Sequence, residues 1–244
     1  MSGPRVEWLS PQDSPLYFPD VESALREPDG LLAAGGDLSS ARLLSAYASG
    51  IFPWYEDGQP ILWWSPDPRC VLRPGEFRVS RRLRQYIRST TLTASYNLAF
   101  SDVIHACAGR RRAQQGTWIT PSMIAAYEQL HAEGWAHSVE VRDGTRLVGG
   151  IYGLSIGKVF FGESMFSHSD HASKFALLAL CQVLVRNEFA LLDCQVLSPH
   201  LLSLGATQIP RISFTEILRA ACSNRRQFSC WPSKPLPIAD LLAK

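Results

Sequence analysis

Apolar residues near the start of the chain are spaced one helical turn apart. Leu43, Leu44 and Tyr47 fall on one face, Ser39 precedes them as an N-cap residue, and Gly50 follows as a C-terminal stop. This pattern predicts a helix between Ser39 and Gly50. The rest of the first third of the chain is rich in turn residues and aromatic residues, so we expect a small, irregular N-terminal domain.

Three segments in the second half of the chain have the composition and spacing of strands. The sequences "HSVEVR", "RLVGGIYGLSI" and "KVFFGESM" predict strands, and Asp143-Gly144 and Gly157-Lys158 mark tight turns between them. We therefore expect an antiparallel meander. A helix that begins at Thr120, with proline at its first position, is expected to precede it.

The long amphipathic segment "ASKFALLALCQVLVRNE" predicts a helix after the meander, and the apolar "ALLDCQV" predicts a strand buried on both faces. Ser198 before a proline predicts a short helix, and Ser213 with Glu216 forms a capping box that predicts the start of another. This order predicts an α/β (α+β) fold around one mixed sheet. We expect a small N-terminal domain at residues 1–70 and a larger domain at residues 71–244.

Composition narrows the classes of protein to consider. The chain has 244 residues, of which 46% are hydrophobic, and this is enough to build a proper core. No apolar run is as long as a membrane helix and the N-terminus lacks a signal-peptide core, so we expect a cytoplasmic protein without a membrane partner. The six cysteines lack zinc-site spacing, which indicates reduced, mostly buried thiols and no metal site.

The predicted strand "LLDCQV" carries unusual polar residues. Side chains alternate along a strand, so Asp193 and Gln195 are expected on one face and Cys194 on the other. Burying such a polar pair is costly unless it is hydrogen-bonded, and the pair is equally typical of a catalytic site and of a strand end bonded to backbone. An alternative site would use Cys194 as a nucleophile with His200, as in a cysteine-dependent amidase.

A run of arginines lies on one further predicted helix, "SRRLRQYIR". Arg81, Arg84 and Arg88 share a face and Arg82 flanks it, with no acidic residue between Arg78 and Arg88. Such a run is usually a solvated helix face. Because the net charge is only +2, any nucleic-acid binding must come from a local cluster such as this one, and phosphates are a plausible common partner.

Aromatic and acidic residues outside the regular patterns complete the candidate chemistry. Trp54 and Trp118 follow turn-like sequences and could stack on a flat ligand such as a base. Glu163 lies among apolar residues in "FFGESMFS", where an ionised acid is seldom left without a partner. The chain contains no P-loop, GxGxxG or GxSxG motif.

Many multi-residue motifs occur together in this chain, from about Phe18 to Phe214, among them "EPDGLLAAGGDLS", "GIFPWY", "PILWWSPDPR", "GTWIT", "FFGESMFS", "DCQV" and "HLLSLGA". In this order they resemble the leucyl/phenylalanyl-tRNA–protein transferases of bacteria. The resemblance implies transfer of Leu, Phe or, less often, Met from aminoacyl-tRNA to the N-terminal Arg or Lys of acceptor proteins, which marks them for N-degron proteolysis. It also implies a small N-terminal domain, a C-terminal domain with the fold of the GCN5-related N-acetyltransferases, no cofactor and a monomer.

With a tRNA ester as donor, each candidate residue has an expected role. Gln195 is expected to accept a hydrogen bond from the attacking amine, and Asp193 is expected to orient that amine. Glu163 is expected to hold the donor's amino group, a ribose hydroxyl or the acceptor's basic side chain, and the sequence leaves these alternatives open. The expected substrate contacts are a donor pocket of Phe160, Phe161, Ser164 and Met165, an adenine clamp of Trp54 and Trp118, and an acceptor-stem contact of Arg81, Arg82, Arg84 and Arg88. The competing alternative is a non-catalytic RNA-binding module.

Overall fold

A computed structural model describes residues 5–115 and 119–242, with only the backbone at residues 110–115. Seven α-helices and several short 3-10 turns connect the strands within these ranges. None of the described helices is long and apolar enough to cross a membrane. The helices are α1 (Ser40–Ala48), α2 (Arg81–Ser89), α3 (Phe100–Gln115), α4 (Pro121–Ala132), α5 (Ala172–Arg186), α6 (Pro199–Ser203) and α7 (Arg211–Ala221).

The strands of the described residues form two sheets. A sheet of four strands has the order β1-β2-β4-β3, and a sheet of eight has the order β11-β5-β10-β9-β8-β7-β6-β12. The strands are β1 (Glu7–Leu9), β2 (Leu31–Gly35), β3 (Phe52–Pro53), β4 (Leu62–Trp64), β5 (Arg69–Leu72), β6 (Thr93–Tyr96), β7 (Ala136–Asp143), β8 (Arg146–Ile156), β9 (Val159–Ser167), β10 (Leu191–Gln195), β11 (Thr207–Ile209) and β12 (Leu236–Pro237).

The predicted meander is confirmed as β7, β8 and β9, each antiparallel to the next. Helix α5 then returns the chain across the sheet, so that β10 pairs with β9 in parallel. The large sheet is therefore mixed, which confirms the predicted α/β class. The meander, the long helix and the parallel strand follow in the order that the acyltransferase-like domain was expected to have.

Local signals place most helix starts where the sequence predicts them. The Ser39 side chain accepts a hydrogen bond from the Arg42 backbone at the start of α1, and the Thr120 side chain does the same for Met123 at the start of α4. The predicted capping box at Ser213 is wrong. Helix α7 already begins at Arg211, because the Asp67 carboxylate, from a distant part of the chain, accepts the hydrogen bond of the Arg211 N–H at 2.9 Å.

Hydrophobic cores lie on both sides of the large sheet. One contains α5 and residues of the short C-terminal elements, including Ile238. The other is shared by both sheets, since it contains Trp63 of β4 as well as Phe161 of β9 and Phe214 of α7. Strand β5 belongs to the large sheet from Arg69 onward. The small sheet is thus packed against the large one through a common core, and the division at residue 70 stays a prediction.

Candidate active site

The parallel strands β9 and β10 pair only as far as Phe161 and Asp193. Beyond that point β9 continues to Ser167, while β10 is interrupted by a bulge between Asp193 and Gln195. The two strands therefore separate and leave a cavity of about 340 Å³ between them. Its lining combines buried polar groups, among them Glu163 and Asp193, with an apolar wall.

Glu163 lies at the polar end of this cavity, and three side chains bond its carboxyl group. The Tyr47 hydroxyl is 2.7 Å from Oε1, the Tyr127 hydroxyl is 2.9 Å from Oε2, and Gln195 Nε2 donates to Oε1 at 2.8 Å. Burial raises the pKa of Glu163 to about 7, although the three donors oppose that shift. The acid among apolar residues therefore has partners, and they come from three separate elements.

Tyr47 and Tyr127 belong to α1 and α4, and both side chains are fully buried. Their hydroxyl groups also contact each other. Burial, with Glu163 close by, raises the pKa of both phenols well above its ordinary value, so both stay protonated at neutral pH. Tyr47 belongs to the predicted apolar face of α1, and no pattern in the sequence indicates that it contacts Tyr127, 80 residues away.

Asp193 is completely buried and is bound by Arg69 of the adjacent strand. Arg69 Nε donates to Oδ1 at 2.9 Å and Nη2 donates to Oδ2 at 2.7 Å, while the Gln195 backbone N–H also donates to Oδ1 at 2.9 Å. Both carboxylate oxygens thus have partners inside the protein. Asp193 contacts Gln195 through the Gln195 backbone N–H and not through its side-chain amide.

Arg69 is held firmly in turn. Its guanidinium carbon lies 4.8 Å from the centre of the Phe52 ring and 4.7 Å from that of Phe214, so both aromatic rings pack on it. Its Nη1 donates to the Gly50 carbonyl at 3.1 Å. Arg69 therefore connects the small sheet, α7 and the strand that carries Gln195.

Gln195 has the left-handed backbone conformation, with a φ of 62°. This conformation is unusual for a residue other than glycine, and such residues often mark functional sites. The bond from its amide nitrogen to Glu163 fixes the direction of the side chain. Its amide oxygen is then the group that Gln195 offers, as a hydrogen-bond acceptor, to the cavity that it lines.

The remaining wall of the cavity is mostly apolar and comes from β8, β9, β10, α5 and α6. Ser164 also lines the cavity, and its buried hydroxyl lacks a hydrogen-bond partner among the described residues. A buried hydroxyl without a partner is costly, so this position suits a ligand that supplies one. The apolar lining includes Ile151, Met165, Leu177, Leu192, Leu197 and Leu201.

Phe160 and Phe161 do not line the cavity, so the wall predicted for them needs correction. Their side chains alternate across β9 into the two cores, and both are almost completely buried. Phe160 packs against Trp231 and Phe161 against Tyr47, with ring centres 6.3 and 5.2 Å apart. Of the apolar residues predicted to line the donor pocket, Met165 alone lines the cavity, and the two phenylalanines are packed in the cores on either side of β9.

Trp54 stands beside the cavity and is 43% exposed, the arrangement that a stacking residue requires. The Trp64 ring centre is 5.8 Å away, and Trp64 Nε1 donates to the Trp54 carbonyl at 2.6 Å, which supports the backbone there. Trp118, the other half of the expected clamp, lies outside the described residues.

Two segments of the sequence match family models. Residues 71–219 match the model of the leucyl/phenylalanyl-tRNA protein transferase family, and residues 36–67 match the model of that family's N-terminal domain. The chain belongs to this family. It is therefore an aminoacyltransferase, and the cavity between β9 and β10 is the candidate active site.

Individual relatives carry the same description. The leucyl/phenylalanyl-tRNA–protein transferase of Pectobacterium atrosepticum is 53% identical over 93% of this chain and 95% of its own length. Those of Azotobacter vinelandii and Chromohalobacter salexigens are 56% and 57% identical, over 85% and 90% of this chain and 92% and 86% of their own lengths. Among solved structures, a ribosomal-protein-alanine N-acetyltransferase from Brucella melitensis has a TM-score of 0.31 and 16% identity, over 59% of this chain and 99% of its own.

Cys194 lines the cavity but lacks the environment of a nucleophile. Its thiol donates to the Leu192 carbonyl at 3.8 Å and interacts with the free thiol of Cys70, and this interaction, with burial, raises the pKa of Cys194 well above its ordinary value. His200, the proposed base, lies on α6, where burial and Lys174 lower its pKa. The geometry therefore gives the cysteine-dependent alternative no activated thiolate, in keeping with a family that uses aminoacyl-tRNA as the donor.

The arginines of α2 are exposed as predicted, and the helix itself is confirmed with Ser80 as its N-cap. Tyr86 packs its ring edge against His171 at the start of α5, with 4.7 Å between ring centres. Burial, Lys174 and Arg82 together lower the pKa of His171, which shows that α2 adds to the positive charge at this end of α5. Helix α2 thus lies beside the start of α5, the helix whose Leu177 lines the cavity.

Proposed function

We propose that this protein transfers Leu, Phe or, less often, Met from aminoacyl-tRNA to the N-terminal amine of proteins that begin with Arg or Lys. The observation that carries the proposal is the cavity between β9 and β10, where an apolar wall meets the hydrogen-bonded pair Glu163 and Gln195. The wall suits an apolar donor side chain, and the polar end suits the ester and the attacking amine. The product would enter N-degron proteolysis in the cytoplasm.

The chemistry asks little of the protein beyond positioning. The donor is an activated ester, and the nucleophile is an α-amine with an ordinary pKa of about 7.7–8.0, so part of it is neutral at physiological pH. The amine nitrogen forms a bond to the ester carbon and the ribose oxygen leaves. The proton that the amine loses passes to the ribose oxygen, so the reaction needs neither ATP nor metal.

Gln195 is the residue that we place against the attacking amine. Its side chain is held by Glu163 and its backbone N–H by Asp193, so its amide oxygen is fixed at the edge of the cavity. An amide oxygen accepts a hydrogen bond from the amine without removing its proton. It thereby directs the lone pair of the nitrogen toward the ester carbon.

Asp193 is better described as a positioning residue than as a group that touches the amine. Its carboxylate is fully buried and both oxygens already accept hydrogen bonds from Arg69. Its effect on the reaction passes through the left-handed conformation of Gln195, which the bond from the Gln195 N–H helps to keep.

The wall of the cavity supports the choice of donors. Met165 is flexible and Leu177 is apolar, so side chains that are unbranched at the β-carbon, such as those of Leu, Phe and Met, can each be accommodated. Ser164 supplies a polar contact to the main-chain part of the aminoacyl group or to the ribose. The adenine clamp of Trp54 and Trp118 and the acceptor-stem contact of the α2 arginines complete the proposed binding of aminoacyl-tRNA to a monomer.

A transfer assay tests the whole proposal. Radiolabelled Leu-tRNA is incubated with the protein and with an acceptor protein that begins with Arg, and a copy of the acceptor that begins with Gly is the matched control. Acid-precipitable label in the Arg acceptor alone supports the proposal. Binding of tRNA without any label in protein would instead indicate an RNA-binding module, and release of free Leu would indicate a hydrolase.

A further inference from the structure

The side chains of Tyr47, Tyr127 and Glu163 form a closed triangle of contacts inside the protein. Each phenol oxygen lies within hydrogen-bond distance of a different carboxyl oxygen, at 2.7 Å for Tyr47 and 2.9 Å for Tyr127. The two phenol oxygens also contact each other. Both tyrosines are fully buried and Glu163 is 8% exposed, so the three contacts lie inside the protein.

The number of hydrogens on the triangle limits how many of its three contacts can be hydrogen bonds. A tyrosine hydroxyl carries one hydrogen, so two phenols can bridge only two of the three oxygen–oxygen contacts. With an ionised Glu163, both hydrogens point at the carboxylate and the two phenol oxygens face each other without a hydrogen between them. A third hydrogen removes this repulsion, and the carboxyl group is the only member of the triangle that can carry it.

We propose that Tyr47, Tyr127 and Glu163 form a closed cycle of three hydrogen bonds, in which Glu163 keeps its proton well above the pH at which an ordinary glutamate loses it. In this cycle Glu163 Oε2–H donates to Tyr127, Tyr127 donates to Tyr47, and Tyr47 donates to Glu163 Oε1. The proton sits on Oε2 because Oε1 already accepts a hydrogen bond from Gln195 Nε2. Tyr47 and Tyr127 are therefore positioning residues of the active site.

The charged groups around the triangle favour the same state. The nearby carboxylate is that of Asp193 on β10, which opposes ionisation of Glu163, and the Arg69 guanidinium is already bonded to that carboxylate. Tyr152 of β8 packs its ring against Tyr127, and α3 contributes the Cys107 thiol to the same core. Burial is the largest cause of the shift that raises the pKa of Glu163 to about 7.

A neutral Glu163 has a different role from those that the sequence analysis left open. The group does not pair as an anion with a substrate amine; it serves as a fixed acceptor for the Gln195 amide nitrogen, and so turns the Gln195 amide oxygen toward the cavity. Only this last step rests on the proposed function. The protonation state of Glu163 can be measured without tRNA or acceptor protein. A failure of this proposal is therefore distinguishable from a failure of the proposed function.

The experiment is a pH titration of protein labelled with ¹³C at the carboxyl carbons of glutamate, followed by NMR. The Glu163 signal is assigned by its absence in Glu163→Gln. We expect its midpoint near pH 7. In Tyr47→Phe the remaining phenol, that of Tyr127, can donate to an ionised Glu163, and no oxygen–oxygen contact is left without a hydrogen. If Glu163 is protonated and donates to Tyr127, the Tyr127 hydrogen has no acceptor. The midpoint should therefore fall by about one pH unit or more.

A rise of the Glu163 midpoint in Tyr47→Phe would indicate that Glu163 is a carboxylate that accepts hydrogen bonds from both tyrosines. If the tyrosines only donate to a carboxylate, loss of one donor makes ionisation harder and the midpoint rises in Tyr47→Phe. That rise, or a wild-type midpoint below about 5, close to that of an ordinary glutamate, overturns the proposal. Tyr127→Phe should shift the midpoint in the same direction as Tyr47→Phe and serves if that variant does not fold. Tyr96→Phe removes a buried phenol bonded to the Ala179 carbonyl and should leave the midpoint unchanged.

Discussion

Arg69 and Asp193 form a buried ion pair through two parallel hydrogen bonds of 2.9 and 2.7 Å, although they are 124 residues apart in the chain. This pair joins the first strand of the large sheet to the strand that carries Gln195. A guanidinium matches a carboxylate in this two-point geometry better than any other side chain. The position of Gln195 therefore depends, through Asp193, on Arg69, which does not line the cavity.

We predict that Asp193→Ala lowers the free energy of unfolding by about 3–5 kcal/mol, because it leaves the Arg69 guanidinium buried without its partner. Turnover should fall as well, since the Gln195 backbone loses the acceptor that holds it. The double variant Arg69→Met/Asp193→Leu should recover most of the stability, because no buried charge remains, but it should not recover turnover. Urea unfolding and single-turnover transfer measure the two effects separately.

The matched control for this prediction is a surface pair of the same kind. Arg146 and Asp143 are both exposed and 3.2 Å apart, and such a pair contributes about 0–1 kcal/mol. Arg146→Met should therefore change neither stability nor turnover appreciably. Recovery of turnover in the buried double variant would mean that Asp193 affects the reaction only through the stability of the fold.

Much of the fold could be predicted from the sequence because its signals are local. The side chain of Ser39 caps α1, and the turns at Gly144 and Gly157, with φ values of 58°, connect the meander where the sequence placed them. The start of α7 was predicted wrongly because its cap comes from Asp67, 144 residues away. The short C-terminal strand β12 has only two residues and depends on pairing with β6, so it has no pattern of its own.

The candidate site was predicted only in part, for the same reason. Glu163 and Gln195 could be found because an acid and an amide are conspicuous in apolar segments. Arg69, Tyr47 and Tyr127 could not, since each has an ordinary local context and its role depends on a partner brought close by the fold. The sequence does not show that β9 and β10 separate only beyond Phe161 and Asp193, so Phe160 and Phe161, which face the two cores, were expected in the cavity.

A second prediction concerns the dependence of stability on pH. The pKa of Glu163 is raised from 4.5 to about 7, so the folded state binds a proton that the unfolded state releases between these values. Its contribution to stability is complete below pH 4.5 and is lost as pH rises through 7, an effect of up to about 3 kcal/mol. The wild type should therefore lose more stability between pH 5 and pH 8 than Glu163→Gln.

Urea unfolding of both proteins at the two pH values measures this difference. All other titrating groups are common to the two proteins, so the change in their stability difference reports on Glu163. Parallel curves for wild type and variant would mean that Glu163 has an ordinary pKa in the folded protein.

A third prediction concerns the charge on α2. If Arg84 contacts a phosphate, Arg84→Ala should weaken tRNA binding and reduce the slope of log affinity against log salt by about 0.7–0.9. Binding of a short aminoacyl-adenosine analogue should be unchanged, because that analogue does not reach α2. Arg219, exposed on α7, provides the control, and Arg219→Ala should leave the slope as it is. Equal slopes for Arg84→Ala and wild type would make the α2 arginines a solvated surface only.

A fourth prediction concerns the choice among donors. Ile and Val carry bulk at the β-carbon, next to the ester that must lie against Gln195, so they displace the reacting carbonyl even where the cavity has room for them. An apolar wall alone discriminates by only about 1–3 kcal/mol for each misfitted methylene group, so rejection of Ile should be strong but incomplete.

Met165→Ala separates misplacement of the carbonyl from loss of burial. The variant removes part of the apolar wall and enlarges the cavity beside the donor side chain. Because apolar contact is lost, kcat/KM for transfer from Leu-tRNA should fall by about 10- to 200-fold. Transfer from Ile-tRNA should not improve, because its misfit lies beside the ester and not at the wall. Leu98→Ala, at a residue 62% exposed and outside the cavity lining, is the control and should alter neither donor. If Met165→Ala instead makes Ile as good a donor as Leu, the wall and not the position of the carbonyl sets the specificity.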